Sequence, residues 1–220
     1  MCGRFTFVHE LNDLFAYYNI AQIDLPFDKR YNIAPSQNVL AVVNDGNNNR
    51  IGYLKWGLIP AWTKDPKAGY KMINARAETI DEKPAYRRLL KRRRCIIPAD
   101  SFFEWRKAND KKIPMRIKMK DDSIFSFAGL WDRWENNGQM IQSCTIITTA
   151  PNDLMKNIHD RMPAILSKDA ESAWLDRSID DEDCLKSLLT PYDANQMEAY
   201  EVSTLVNSPK NDVEEVIEKV

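Results

Sequence analysis

Two histidines, seven glycines and four cysteines in 220 residues are the first constraints on this chain. The cysteines stand at 2, 95, 144 and 184 without a CxxC pair, so neither a zinc ribbon nor a disulfide scaffold is encoded. Free thiols and a reducing, cytoplasmic setting are expected. With His9 and His159 alone, a histidine-based metal centre is not expected. No Gly-rich phosphate loop occurs, so a nucleotide cofactor has no support, and neither metal nor organic cofactor is expected. The longest apolar stretches, such as Ser143 to Ala150, fall far short of the ~20 residues of a membrane-spanning helix. Met1-Cys2-Gly3-Arg4-Phe5 lacks the apolar segment of a secretory leader. No fixed-period repeat and no low-complexity tract is present.

A hydrophobic fraction of 44% supplies material for a core, and the length suits one domain spanning residues 1–220. The net charge is -1, yet residues 1–120 carry 23 Lys/Arg against 12 Asp/Glu, while residues 121–220 carry 8 against 20. Such asymmetry places a basic face on a neutral protein if folding keeps the halves apart, and that is what phosphate attraction requires. Val39–Val43 and Arg50–Trp56, joined by the Asn/Asp/Gly cluster at 44–49, read as a β-hairpin. Further strands are expected at 95–98, 102–105, 113–119, 124–131, 140–149 and 199–205. Helices are expected at 9–18, 84–93, 152–158, 168–175 and 181–189. Few helices scattered among many strands predict an α+β fold with a mostly antiparallel, curled sheet.

The chemistry begins at Cys2. A Met followed by a small side chain is the usual context for initiator removal, which makes Cys2 the first residue. Its amine and thiol then sit on adjacent carbons, with reference pKa values of ~7.7–8.0 and ~8.5. Such a group forms a Schiff base with an aldehyde, and the thiol closes a five-membered thiazolidine ring. It can equally attack an ester or amide as an N-terminal nucleophile.

Other motifs follow in order: Tyr31-Asn32-Ile33-Ala34-Pro35, Trp56-Gly57-Leu58-Ile59-Pro60, and Ile73-Asn74-Ala75-Arg76-Ala77-Glu78-Thr79. Then come Arg94-Cys95-Ile96-Ile97-Pro98-Ala99, Phe102-Phe103-Glu104-Trp105 and Ile158-His159-Asp160-Arg161-Met162-Pro163. This series, running from residue 2 to about Asn207, resembles the SOS-response-associated peptidase (SRAP) family, whose members protect abasic sites in DNA. The resemblance implies covalent linkage of Cys2, after Met1 removal, to the ring-opened aldehyde of an abasic site in single-stranded DNA. It also implies support from Asn74, Glu104 and His159, and a compact α+β domain with a curved, mostly antiparallel, barrel-like sheet, a few peripheral helices and a basic groove.

The residues are compatible with that chemistry. Schiff-base formation and ring closure both move protons, and a carboxylate beside the amine accepts one. Glu104 lies among apolar side chains, where burial raises a carboxyl pKa and improves a proton shuttle. Strand alternation leaves open an outward-facing Glu with aromatics inward. His159 is suited to donating a proton to the opening sugar oxygen, and Asn74 to hydrogen-bonding the aldehyde-derived hydroxyl. Arg4, Arg76 and Arg161 adjoin these motifs as expected phosphate ligands. Pro35 and Trp62 are expected to wedge or stack against bases, although the loop Pro60-Ala61-Trp62-Thr63 lacks the second aromatic that many family members carry. The expected partner is single-stranded DNA bearing abasic sites, met by a monomer that is nucleoid-associated when bound. AP-lyase activity and crosslink reversal are consistent with the same intermediate. A cysteine peptidase using Cys2 and His159, confined to Met1 or acting on foreign peptides, and a non-catalytic single-strand binder are the alternatives.

Overall fold

The long apolar runs supply the frame. In the computed structural model, which describes residues 2–109 and 111–220, the strands are β1 (Phe5–Phe7), β2 (Arg30–Ile33), β3 (Asn38–Asn44), β4 (Asn49–Trp56), β5 (Asn74–Arg76), β6 (Arg94–Ala99) and β7 (Ser101–Ala108). They continue as β8 (Lys111–Met119), β9 (Phe125–Asn136), β10 (Gln139–Thr149), β11 (Met162–Pro163), β12 (Ile165–Leu166) and β13 (Met197–Glu201). The helices are α1 (Leu11–Tyr17), α2 (Pro84–Arg92), α3 (Lys168–Leu175) and α4 (Glu182–Ser187).

Strands β4, β3, β6, β9 and β10 pair successively, and β10 returns to β4, so the ring closes into a barrel. Closure removes the edges that an open sheet leaves unpaired. All these pairings are antiparallel except β10 with β4. The interior is filled: a side chain at Gly129 of β9 would meet the Ile97 side chain at 2.3 Å.

A second sheet, ordered β13-β8-β7-β1-β2, packs against the barrel. Phe5 of β1 meets Trp56 and Phe127 edge-on, with ring centroids 5.3 and 5.7 Å apart, a favoured aromatic geometry. The other face of this sheet lies under the C-terminal segment, where Phe103 packs with Val202, Val206 and Val216. The chain changes sheets at Ala99-Asp100-Ser101. The buried Asp100 carboxylate fixes that corner by accepting hydrogen bonds from the Thr6 hydroxyl and the Val8 N–H.

The expected α+β architecture and its hairpin are therefore present. Two expectations need correction. Residues 152–158 form a 3-10 turn at Met155–Asn157 instead of an α-helix, and the last strand ends at Glu201, with 3-10 geometry at Thr204–Asn207. The short strands β1, β2 and β5 carry too few residues to show an alternation of their own. Long partners define β1 and β5, on β7 and β10, and β2 is the edge strand laid on β1.

Candidate active site

Strand alternation decides where Glu104 goes. On β7, Phe103 faces the C-terminal segment, whereas Phe102 belongs to the main core. Glu104, two residues from Phe102, takes the same inward face and is only 3% exposed. Burial pushes its carboxyl pKa up, while the charge of nearby His159 opposes that rise. The outward-facing alternative is excluded.

Cys2 reaches this carboxylate by register. Phe5 lies opposite Phe102, Thr6 opposite Ser101, and the Phe103 N–H donates to Arg4 O, so the chain before β1 runs back alongside Glu104. The Cys2 side chain is fully buried, with Sγ 4.0 Å from Arg4 O. Burial pushes its thiol pKa strongly upward, and the Glu104 charge adds to the effect. Met1 lies outside the described residues.

His159 stands between the 3-10 turn and β11, with Nε2 3.9 Å from the Glu104 carboxylate. Nδ1 is 3.0 Å from the Arg161 N–H and 2.8 Å from Asp160 Oδ1. With Nδ1 accepting from the backbone, the ring turns Nε2 toward Glu104.

Strand β10 holds the remaining parts. It pairs with β5 along one edge, setting Asn74 opposite Ile146 and Arg76 opposite Thr148, and with β11 along the other. The Asn74 amide donates weakly to Ile146 O at 3.4 Å. Its Oδ1 is buried and accepts no hydrogen bond among the described residues, an uncommon condition for a buried polar atom.

Of the expected DNA ligands, Arg76 and Trp62 are exposed and Pro35 is half-buried in the turn after β2. Arg4 and Arg161 are engaged inside the protein. Arg4 donates to Asn32 Oδ1 and Val206 O at 2.8 and 2.6 Å. Arg161 makes a bidentate pair with Glu78 at 2.6 and 2.9 Å and donates to Thr148 O at 2.7 Å. These arginines hold the loops around the site together. The acidic partner of Arg161 lies 83 residues away, beyond local reading.

The loop after β4 presents Trp62 firmly. Gly57 adopts φ +127°, and a side chain there would come within 2.6 Å of Gly69 O, so the loop base admits only glycine. Asp132 accepts from the Ala61 N–H at 3.0 Å, and the Trp134 indole donates to Thr63 O at 2.8 Å. Trp62 is 61% exposed between these two tethers. Tyr70, equally exposed in the same connection, was not anticipated, although Lys67 and Lys71 beside it were a basic-aromatic signal. Among the described residues, no group of three His, Cys, Asp or Glu is arranged to hold a metal ion. Among the described residues, no helix is long and apolar enough to cross a membrane.

The fold is a closed barrel with Cys2 near the buried Glu104 and His159, and the comparisons identify its class. The family model described as SOS response associated peptidase (SRAP) matches residues 1–209, and the chain belongs to this family. It is 57% identical to the abasic site processing protein YoqW of Bacillus subtilis, with 99% of both chains covered. It is 30% identical to the abasic site processing protein YedK of Escherichia coli over the full length of both. Among solved structures, a protein from Bacteroides thetaiotaomicron superposes with a TM-score of 0.90 at 31% identity, covering both chains entirely.

Proposed function

We propose that this protein processes abasic sites by linking Cys2 covalently to the ring-opened sugar in single-stranded DNA. The observation that carries the reading is the buried Glu104, paired with His159 and within electrostatic reach of Cys2. After removal of Met1, the Cys2 amine attacks the aldehyde carbon. The carbinolamine loses one water to give an imine. The thiol sulfur then adds to the imine carbon, its proton passing to nitrogen, and the thiazolidine ring closes.

Each polar side chain has a place in that sequence. Glu104, with its raised pKa, takes a proton from the ammonium and returns it to the departing hydroxyl. His159 protonates the ring oxygen as the sugar opens. The open acceptor of Asn74 receives the hydroxyl generated there. Burial keeps the Cys2 thiol protonated, so the amine acts first and sulfur second. Arg76 and Trp62 support backbone contact and base stacking. The imine also permits β-elimination, and reversal of the linkage reuses Glu104 and His159. A cytoplasmic, nucleoid-associated monomer suits this role.

The peptidase reading has less support, because a cysteine nucleophile acts as thiolate and burial of Cys2 opposes that form. The test mixes wild type and Cys2→Ala with single-stranded DNA carrying one abasic site, read by denaturing electrophoresis and intact mass. A stable adduct is expected for wild type alone, on protein lacking Met1. No adduct on protein confirmed to begin at Cys2 would refute the crosslinking reading, and cleavage of foreign oligopeptides would favour the peptidase.

A further inference from the structure

We propose that the basic face of α2, with the cleft at its C-terminal end, is a second docking track for single-stranded DNA, gripping the phosphodiester backbone of the strand leading away from the lesion. The inference rests on the abasic-site reading and deepens it. Residues 83–94 contain seven Lys/Arg and no acidic residue. Helix α2 buries Leu89 and Leu90 and exposes Arg87, Arg88 and Arg92. Arg88 and Arg92 are one turn apart on the same face, a like-charge spacing that works against the helix. Lys91 and Arg92 suit the C-terminal end of the helix dipole, but Arg87 and Arg88 lie before the last turn and have no such account.

Arg92 lines a cleft of about 340 Å³ with Asn44, Arg93, Trp131, Leu175 and Arg177. Buried Arg94, at its floor, is spent on the carbonyls of Leu90, Trp174 and Asp176. Arg93 stacks on Trp131 at 4.6 Å and lies 3.8 Å from Asp132, whose carboxylate also accepts from the Ala61 and Arg133 N–H groups. Asp176 is held by Ser178. Arg177 donates to Asp45 O at 3.0 Å. Among the described residues, Arg87, Arg88, Arg92 and Arg177 form no ion pair. The cleft thus retains unneutralised guanidinium groups that suit phosphate oxygens.

Position selects a strand rather than a free anion. Tyr86, in the first turn of α2, places its hydroxyl 3.4 Å from Asn74 O. From there to Arg92 the helix advances ~9 Å at ~1.5 Å per residue. The track therefore starts beside the candidate active site and runs outward as a row of cations, the form that a linear polyanion matches.

The test measures binding of undamaged single-stranded DNA of about 8 and about 24 nucleotides, and of a 24-mer with a hairpin arm, by fluorescence anisotropy across a salt series. The variants are R88Q/R92Q/R177Q and R88K/R92K/R177K. The Gln variant should bind the single-stranded 24-mer about tenfold more weakly. Its log K against log salt slope should flatten by about 2, three contacts at ~0.7 each for a single strand. The Lys variant should keep most of the slope, and adduct formation on an abasic 8-mer should be unchanged in both. A loss confined to the hairpin-armed DNA would assign the track to a duplex and overturn the proposal. Unchanged affinity and slope on the single-stranded 24-mer would overturn it too. So would equal losses on the 8-mer, or oligoglutamate competing better than DNA. If wild type forms no adduct on any abasic DNA, the lesion chemistry fails while the salt slopes still decide the track.

Discussion

Two carboxylates four residues apart, Asp100 and Glu104, are almost equally buried, and burial raises the pKa of each. Their partners differ. Asp100 accepts from the Thr6 hydroxyl and the Val8 N–H, donors with no protonation equilibrium in the neutral range, and it fixes the corner where the chain changes sheets. Glu104 instead lies 3.9 Å from the imidazole of His159 and acts electrostatically on the Cys2 thiol. Burial alone does not mark a functional carboxylate. A buried carboxylate set against an imidazole and a nucleophile is the one suited to chemistry.

Exchanging each acid for its amide sharpens this contrast. The largest effect is expected for Glu104→Gln, with adduct formation slowed about 10²–10⁴-fold, the range for a lost general acid–base group, measured as single-turnover rates. Stability should move the other way. A raised folded pKa means the charge is penalised in the fold above that pKa and costs nothing below the unfolded value near ~4.3. Glu104→Gln should therefore melt above wild type at pH 7, and the two should converge at pH 3.5. A lower Tm at neutral pH would place Glu104 with Asp100 as a structural group.

Asp100→Asn comes next. Its NH2 group would meet either the Thr6 hydroxyl or the Val8 N–H, leaving a buried donor unpaired at about 1–3 kcal/mol. At ~2–4 °C per kcal/mol for a chain of this size, Tm should fall by roughly 2–12 °C. The adduct rate per folded molecule should be retained. Trp62→Ala should leave Tm within a degree of wild type and weaken single-stranded DNA binding by about 1–3 kcal/mol, read by anisotropy. Arg76→Ala should have the smallest effect, lowering the salt slope of that binding by about 0.7.

Much of this was legible in the sequence because the signals are local. The Asn/Asp cluster at 44–49 specifies the hairpin, and the runs that became β6 to β10 are long enough to read. Cys2, Glu104 and His159 sit in distinctive motifs, whereas the face that Glu104 takes within Phe102-Phe103-Glu104-Trp105 stayed open until its neighbours were placed. What escaped depends on distant partners. Strand β5 exists because β10 offers it an edge, and Arg161 is braced by Glu78. Tyr70 is displayed because Gly57 and Gly69 approach closely at the base of its loop. The 3-10 turn before His159 has helical residues, yet the His159 N–H closes on Met155 O and the chain leaves toward β11.

The central claim is that Cys2 contributes both its nitrogen and its sulfur to one sugar carbon. Cys2→Ser keeps the amine and removes the sulfur, so its adduct with abasic single-stranded DNA, followed by intact mass with and without borohydride, is the most direct test. Wild type should give a heat-stable adduct without reductant, at the mass of protein lacking Met1 plus DNA minus one water. Cys2→Ser should give one only when its imine is reduced. An equally heat-stable Cys2→Ser adduct without reductant would contradict the account.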